Sequence, residues 1–285
     1  MARAGKIDLG TKAIAIAEET FLPLMLAIGI FILAFSASAD VDLYAAPQFG
    51  ISNLIADTDG NAVGGNPNGL QGDDTDSAPL LGLSVGLEVP MNELVPREWL
   101  ADARLPSWPV SFELEATGLR DYDFQTRGSG ATAEVYSTEI TATTLMANTW
   151  TDIPLTTMWR PVQYVFGLGR QPRVRQWLEP GSFYFGAGVG FVALDIKGTD
   201  NVLKGKDDYL DFAWNVGAGL NYELNERFTL SAGYRYLGLG PNTGKQEVDL
   251  TGGPGTNDDL EYDLQVHEFR VAIKIRLASF RGVWR

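Results

Sequence analysis

The 285-residue chain has no cysteine, a formal charge of −14 and a pI near 4.5. The missing cysteines exclude a disulfide framework and any thiolate metal site or nucleophile. The acidic balance excludes nucleic acid as a partner, since phosphate binding needs a basic footprint. Thirty-two glycines and 45% apolar residues fit an all-β chain with many turns and enough apolar surface for a sizeable core.

In chain order, residues 1–39 read as a removable export signal. Arg3, Lys6 and Lys12 precede "FLPLMLAIGIFILAF", and "SASAD" then offers a small-residue cleavage site that leaves Asp40 as the new N-terminus. The apolar run is short for a hydrocarbon core of ~30 Å. No later run approaches spanning length, so any further membrane contact must be made by strands. The remaining residues, 40–285, read as one domain.

Alternation bounded by Gly, Asp, Asn and Pro predicts eight strands, at 41–54, 79–90, 108–122, 137–152, 181–196, 209–224, 227–239 and 263–280. The stretch "GSFYFGAGVGFVALDI" (181–196) is glycine-rich but is no dinucleotide fingerprint. Gly186, Gly188 and Gly190 recur every second residue and no amphipathic helix follows, so all three share one face of a strand. "LNER" joins the sixth and seventh strands as a tight hairpin and no βαβ spacing occurs. An eight-stranded antiparallel up-and-down barrel is the simplest closure.

Side-chain volume then assigns the faces. One face carries Phe183, Phe185, Phe191, Phe212, Trp214, Tyr222, Phe228, Tyr234 and Tyr236; the other carries glycines with Ser84, Ser231, Asn215 and Asn221. An eight-stranded interior is only wide enough for side chains to fill, so the aromatic face is predicted to point outward to lipid. Tyr209, Tyr222, Phe228 and Trp150, near strand ends, are expected in interfacial girdles. The same parity sends Glu88, Glu113, Glu115, Asp211, Glu223, Arg235, Glu268, Arg270, Lys274 and Arg276 inward. Charges in so narrow a lumen must be paired or hydrated, which predicts an ionic network that plugs it. Some of these residues are expected in water at the strand ends, and the faces of 137–152 stay unassigned because its alternation is poor.

"FAWNVGAGLNYELNERFTLSAGYRYLGLG" (212–240), "GSFYFGAGVGF" (181–191), "TLMANTWTDIP" (144–154) and "HEFRVAIKIRL" (267–277) together resemble the opacity-protein-like outer-membrane β-barrels of Gram-negative bacteria. The resemblance implies an outer-membrane barrel built by the barrel-assembly machinery, in contact with lipopolysaccharide. It is not specific for activity, since the family holds adhesins, small porin-like proteins and surface antigens. Three features depart from it. The turns 91–107 and 155–180 are long. The first fits one short helix starting at Pro96, with Trp99 and Leu100 on one side. The second mixes Trp159, Tyr164, Phe166 and Trp177 with Arg160, Arg170, Arg173 and Arg175, which fits either a segment lying on the inner leaflet or a solvated turn. Finally, Phe280 is followed by "RGVWR" and has the wrong parity for a terminal outward aromatic, which calls for a bulge or an atypical end.

His267 is the only histidine. Its in-strand neighbour on the same face, Phe269, offers no hydroxyl, so a structural role is expected and no catalytic residue is assigned. The acidic stretches 57–76 and 249–263 read as solvated loops rather than calcium sites, which need six to eight convergent oxygens. No cofactor or metal is called for. The expected role is structural or interactive, through four outward loops at 56–78, 120–136, 196–208 and 240–262 that serve envelope integrity, adhesion or antigen display. A small diffusion channel, a lipid-modifying barrel and, last, a soluble ligand-carrying barrel are the alternatives.

Overall fold

A computed structural model describes residues 40–61, 70–102, 107–127, 135–158, 176–199, 204–239, 246–253 and 256–281. Residues 1–39, and with them the expected signal, lie outside the described residues, as do all the aromatic and arginine positions singled out in 155–180 except Trp177.

Nine strands form one antiparallel sheet: β1 (Val41–Asn61), β2 (Leu70–Pro90), β3 (Pro109–Arg127), β4 (Val135–Pro154), β5 (Gly181–Thr199), β6 (Lys204–Glu223), β7 (Phe228–Leu239), β8 (Gln246–Gly253) and β9 (Thr256–Phe280). Each pairs with its neighbour in chain order except that β7 pairs with β9, and β1 pairs with β9 to close an eight-stranded barrel. The ninth strand, β8, forms a hairpin with the upper part of β9 and meets β6 at Lys204–Thr251, standing above the end of β7.

All eight predicted strands are present, but most run further than their expected bounds, because the ranges assigned to outward loops are largely strand. β1 continues to Asn61 and β2 begins at Leu70; β3 reaches Arg127 and β4 begins at Val135. The Asp, Gly and Thr of these ranges look like turn residues, yet buried apolar residues continue into them at every second position: Leu54 then Ala56, Tyr122 then Phe124, Leu194 then Ile196.

Those persistent positions expose the main architectural feature. In the lower half, at the end holding the termini, outward residues are apolar and exposed, including Phe49, Ile51, Leu81, Leu83, Phe185, Val189, Phe191, Phe212, Leu220 and Phe269. On β5 this belt runs from Phe183 to Ala193 and on β9 from Phe269 to Leu277. That length matches the ~9–11 residues with which a tilted strand crosses hydrocarbon, so the belt is the membrane-spanning part. Above it the wall is polar outside, tied by cross-strand pairs: Ser77–Asn53 at 2.6 Å, Thr141–Asp121 at 2.8 Å, Lys197–Glu139 at 3.4 Å and Lys206–Asp195 at 2.8 Å. The hydrogen bond to Asp195 holds the Lys206 ammonium above the ordinary lysine range. Inside, the same upper half is filled by Leu54, Tyr122, Phe124, Ile140, Val192, Leu194, Ile196, Leu237, Leu264 and Val266. Inside and outside exchange polarity at one level.

Two bulges keep the pattern in step. Between Thr117 and Arg120 β3 carries one extra residue relative to β4, with Leu119 at φ 61°, so inward parity changes from odd below to even above. On β9 the register slips at Leu277, which turns Phe280 outward opposite Val41 and accounts for its apparent wrong parity. An arginine replacing Val189 in the belt is expected to cost ~2–4 kcal/mol, the penalty for a midplane cation on the lipid face. Thr141→Arg on the polar wall should shift stability by less than ~0.5 kcal/mol. Urea unfolding from lipid vesicles measures both.

Candidate functional site: the lumen

The lower lumen combines small residues with a few large ones. Parity on β5, β6 and β7 sends Gly186, Gly188, Gly217, Gly219 and Gly233 inward, but the interior also holds Tyr44, Trp150 and Tyr184. These three are not among the nine aromatics assigned to lipid. Each ring has a glycine beneath it: a Cβ on Gly86 would strike the Tyr44 phenol at 2.5 Å, and a Cβ on Gly219 would stand 2.7 Å from Tyr184. Trp150, expected in a girdle, is buried inside and meets Tyr184 edge-on at 5.6 Å. Tyr209, also expected in a girdle, packs against the upper apolar interior. Both errors have one cause: position near a strand end says nothing about which face a side chain occupies.

Above these rings lies a buried ionic cluster. Glu115 on β3 accepts from Arg235 Nη1 at 2.7 Å and Arg270 Nη2 at 2.9 Å, and also from Thr117 Oγ1 at 2.8 Å and Asn148 Nδ2 at 3.2 Å. Glu268 on β9 takes Arg235 Nη2 at 2.6 Å through one oxygen and Arg120 Nη2 at 2.6 Å through the other. Arg270 also donates to the Gln48 carbonyl. Glu115, Glu268, Arg120 and Arg235 are all at most 2% exposed. Five side chains from β3, β7 and β9 thus bring three guanidinium groups onto two carboxylates. Glu113, two residues below Glu115, adds a third acid and accepts from the Tyr44 hydroxyl at 3.0 Å.

The ten residues assigned to the lumen occupy five settings. Glu113, Glu115, Arg235, Glu268 and Arg270 come together here. Lys274 lies lower, 5.2 Å from the centre of the Tyr44 ring, beside a cavity of about 40 Å³ that it shares with Glu113, Gln48 and Tyr184; that volume holds roughly three waters. Glu88 and Arg276 line the mouth at the lower rim, where Arg276 Nε meets Asp42 at 3.2 Å. Asp211 is half-buried on the inward face of β6. Glu223 is a correction: it is exposed at the end of β6, where the strand runs out into the turn.

Arg120 is the member that sequence reasoning missed. Strict alternation from Glu113 and Glu115 sends an even-numbered residue outward; the bulge at Leu119 turns it in. Gly118 inside a strand was the available signal, since an interior glycine often marks a bulge. Asp152 was missed as well, because the faces of β4 were unassigned; it is buried and accepts from Asn221 and Ser182.

The nine aromatics assigned to lipid all lie on outward parity, with Phe183, Trp214 and Tyr236 half-buried among their neighbours and the other six exposed. Near the top of the belt, Tyr234 Oη lies 2.6 Å from His267 Nδ1, and the Tyr236 ring meets the imidazole edge-on at 5.4 Å. The hydroxyl absent within the strand is thus supplied across it, from β7. Among the described residues no group of three or more His, Asp or Glu could hold a metal ion.

A closed antiparallel barrel with an apolar belt of membrane height defines a transmembrane β-barrel, the class found in outer membranes. The outer membrane protein beta-barrel domain family matches residues 24–274, and the chain belongs to that family of bacterial outer-membrane proteins. Among solved structures it is similar to the outer membrane protein OprG of Pseudomonas aeruginosa, at 13% identity over 85% of this chain and 98% of that one, with a TM-score of 0.47. It is also similar to Neisserial surface protein A, at 12% identity over 80% and 97% with a TM-score of 0.34, and to the attachment invasion locus protein of Yersinia pestis, at 13% over 81% and 98% with a TM-score of 0.31. No curated protein matches the chain.

Removing one member of a buried ion pair costs ~3–5 kcal/mol because a charge is left uncompensated. Glu268→Ala, which strands Arg120, is expected to destabilise the barrel by that amount in urea unfolding. Adding Arg120→Met should recover most of the loss. Gly219→Val, which drives a branched side chain into the Tyr184 ring, should cost ~1–3 kcal/mol through overpacking, read as a lower midpoint in the same assay.

Proposed function

We propose that this protein is a non-conducting display barrel: a plugged anchor in the outer membrane whose polar upper wall and rim make surface contacts for envelope integrity, adhesion or antigen display. The observation that carries this reading is the pair of seals stacked along one lumen. The ionic cluster occupies the level of Glu115 and Glu268, and above it the described interior is lined by the buried apolar side chains from Leu54 to Val266. A diffusion channel needs a continuous wet route, and an apolar plug denies one even where charges could rearrange.

The same reading assigns partners. Lipopolysaccharide would lie against the upper wall, with divalent ions bridging its phosphates to the acidic rim. The barrel-assembly machinery would insert the chain after removal of residues 1–39. Envelope or host proteins would meet the outer rim. A lipid-modifying role is favoured by one contact alone, that of His267 with Tyr234. An interfacial aromatic cluster accounts for the same geometry, since tyrosine and tryptophan gather where acyl chains meet headgroups.

In planar bilayers the wild-type protein is expected to show no steady open level, and Arg235→Ala should remain closed because the apolar seal stands above it. A stable conductance that rises in Arg235→Ala would overturn the plugged reading. An unchanged lipid A profile after His267→Ala disposes of the enzymatic one.

A further inference from the structure

The two most exposed large apolar side chains among the described residues are Trp177, at 73%, and Trp99, at 70%, and neither lies on the lipid belt. Both belong to the turns at the lower rim, Trp99 between β2 and β3 and Trp177 between β4 and β5. An indole fully in water is an expensive use of the largest apolar side chain, and tryptophan is enriched where headgroups meet acyl chains.

The placement of the first turn says which side of the wall it occupies. Val41, Leu87 and Val89 have outward parity, since Leu43 pairs with Leu87 and Ala45 with the exposed Val85. Yet Val41, Leu87 and Val89 are buried, in one cluster with Leu43 and Leu94. The segment carrying Leu94 therefore packs against the outside of the wall and not beneath its mouth. It is a compact unit: Met91 N–H donates to the Trp108 carbonyl at 2.9 Å, Asn92 N–H to Ser107 Oγ at 3.1 Å, and the helix Arg97–Asp102 follows Pro96. Within that helix Leu100 is buried while Trp99 points away. The expectation that both would lie on one side is corrected: Leu100 faces the protein and Trp99 faces outward, just below the apolar belt.

We propose that residues 91–102 of the β2–β3 turn and 176–178 of the β4–β5 turn are feet seated in the headgroup layer of the periplasmic leaflet, with Trp99 and Trp177 as the rings that enter the phospholipid. The surface is continuous with the belt, so the partner is the bilayer in which the barrel already sits. The feet set the depth of the barrel in the membrane from below, as the change in outward polarity sets it from above.

The absence of cysteine makes the test direct. Trp99→Cys and Trp177→Cys, each carrying an NBD fluorophore, are placed in nanodiscs of phosphatidylethanolamine and phosphatidylglycerol, with Glu226→Cys on the exposed β6–β7 turn as the aqueous control. Folding is verified by the shift between boiled and unboiled samples on a gel. The expected result is a blue shift of emission relative to position 226, with quenching by headgroup-proximal nitroxide lipid and little by iodide. Iodide quenching equal to that at 226 would overturn the proposal by putting the feet in water. Protection from both quenchers would overturn it equally, by packing the rings against protein. Should neither cysteine variant fold, brominated lipid decides: wild-type tryptophan emission should lose a larger fraction than that of Trp99→Leu, and equal losses refute the proposal.

Discussion

Every inward side chain of this barrel competes for the same narrow cylinder, and that shared volume and charge constraint orders the rest. A guanidinium at the axis reaches neither bulk water nor the lipid outside, so it persists only with carboxylates and amide or hydroxyl oxygens around it. Arg235 meets the condition through two carboxylates at once, Glu115 and Glu268. Arg120 and Arg270 then approach those same acids from other sides. Space is balanced in the same way: Tyr44 and Tyr184 fit because Gly86 and Gly219 withdraw. Of the glycines that look like a uniformly slim face, Gly86, Gly186, Gly219 and Gly233 are recesses for rings, whereas Gly82, Gly188 and Gly190 make room for Gln48, Asn148 and Met146.

The exchange of polarity along the wall makes one strand serve two environments. In the lower half hydrocarbon accepts the outward apolar residues and the charges turn in. In the upper half water accepts the charges and the apolar residues turn in, where they form a core of the kind found in a soluble barrel. The molecule is a membrane barrel continued upward as a small water-facing one, and the hand-over falls near Tyr234, His267 and Leu119. The ionic cluster lies just beneath that level, with Ser52 and Tyr122 bonded at 2.6 Å across the transition.

Much of this was legible in the sequence, for a physical reason. Alternation with period two fixes a strand whatever solvent it faces, and the contrast between ring and glycine fixes which face is outward wherever lipid is outside. The nine outward aromatics and the charges at 113, 115, 235, 268 and 270 follow from parity alone. What escaped lay where parity breaks or its meaning changes. Arg120 follows a bulge. Trp150 and Asp152 sit on β4, where threonine and alanine fill the outward positions and blur the alternation. The upper strands escaped because their outward residues are Asp, Thr, Asn and Gly, the composition of loops, while the apolar signal had moved to the interior. The inward positions carry that signal, and reading only the outward ones for hydrophobicity loses it.

The bulge at Leu119 carries the heaviest consequence for how such a sequence can change. Below it odd-numbered residues of β3 face the axis, and above it even-numbered ones do, so this single extra residue is what lets Tyr122 and Phe124 enter the dry interior while Asp121 and Asp123 stay wet. Deleting Leu119 would not trim a turn; it would rotate the whole upper segment and force two carboxylates into oil and two rings into water. Length variation along this chain therefore belongs at the hairpin tips. Within the wall, an insertion or deletion survives only when a second one nearby restores the count.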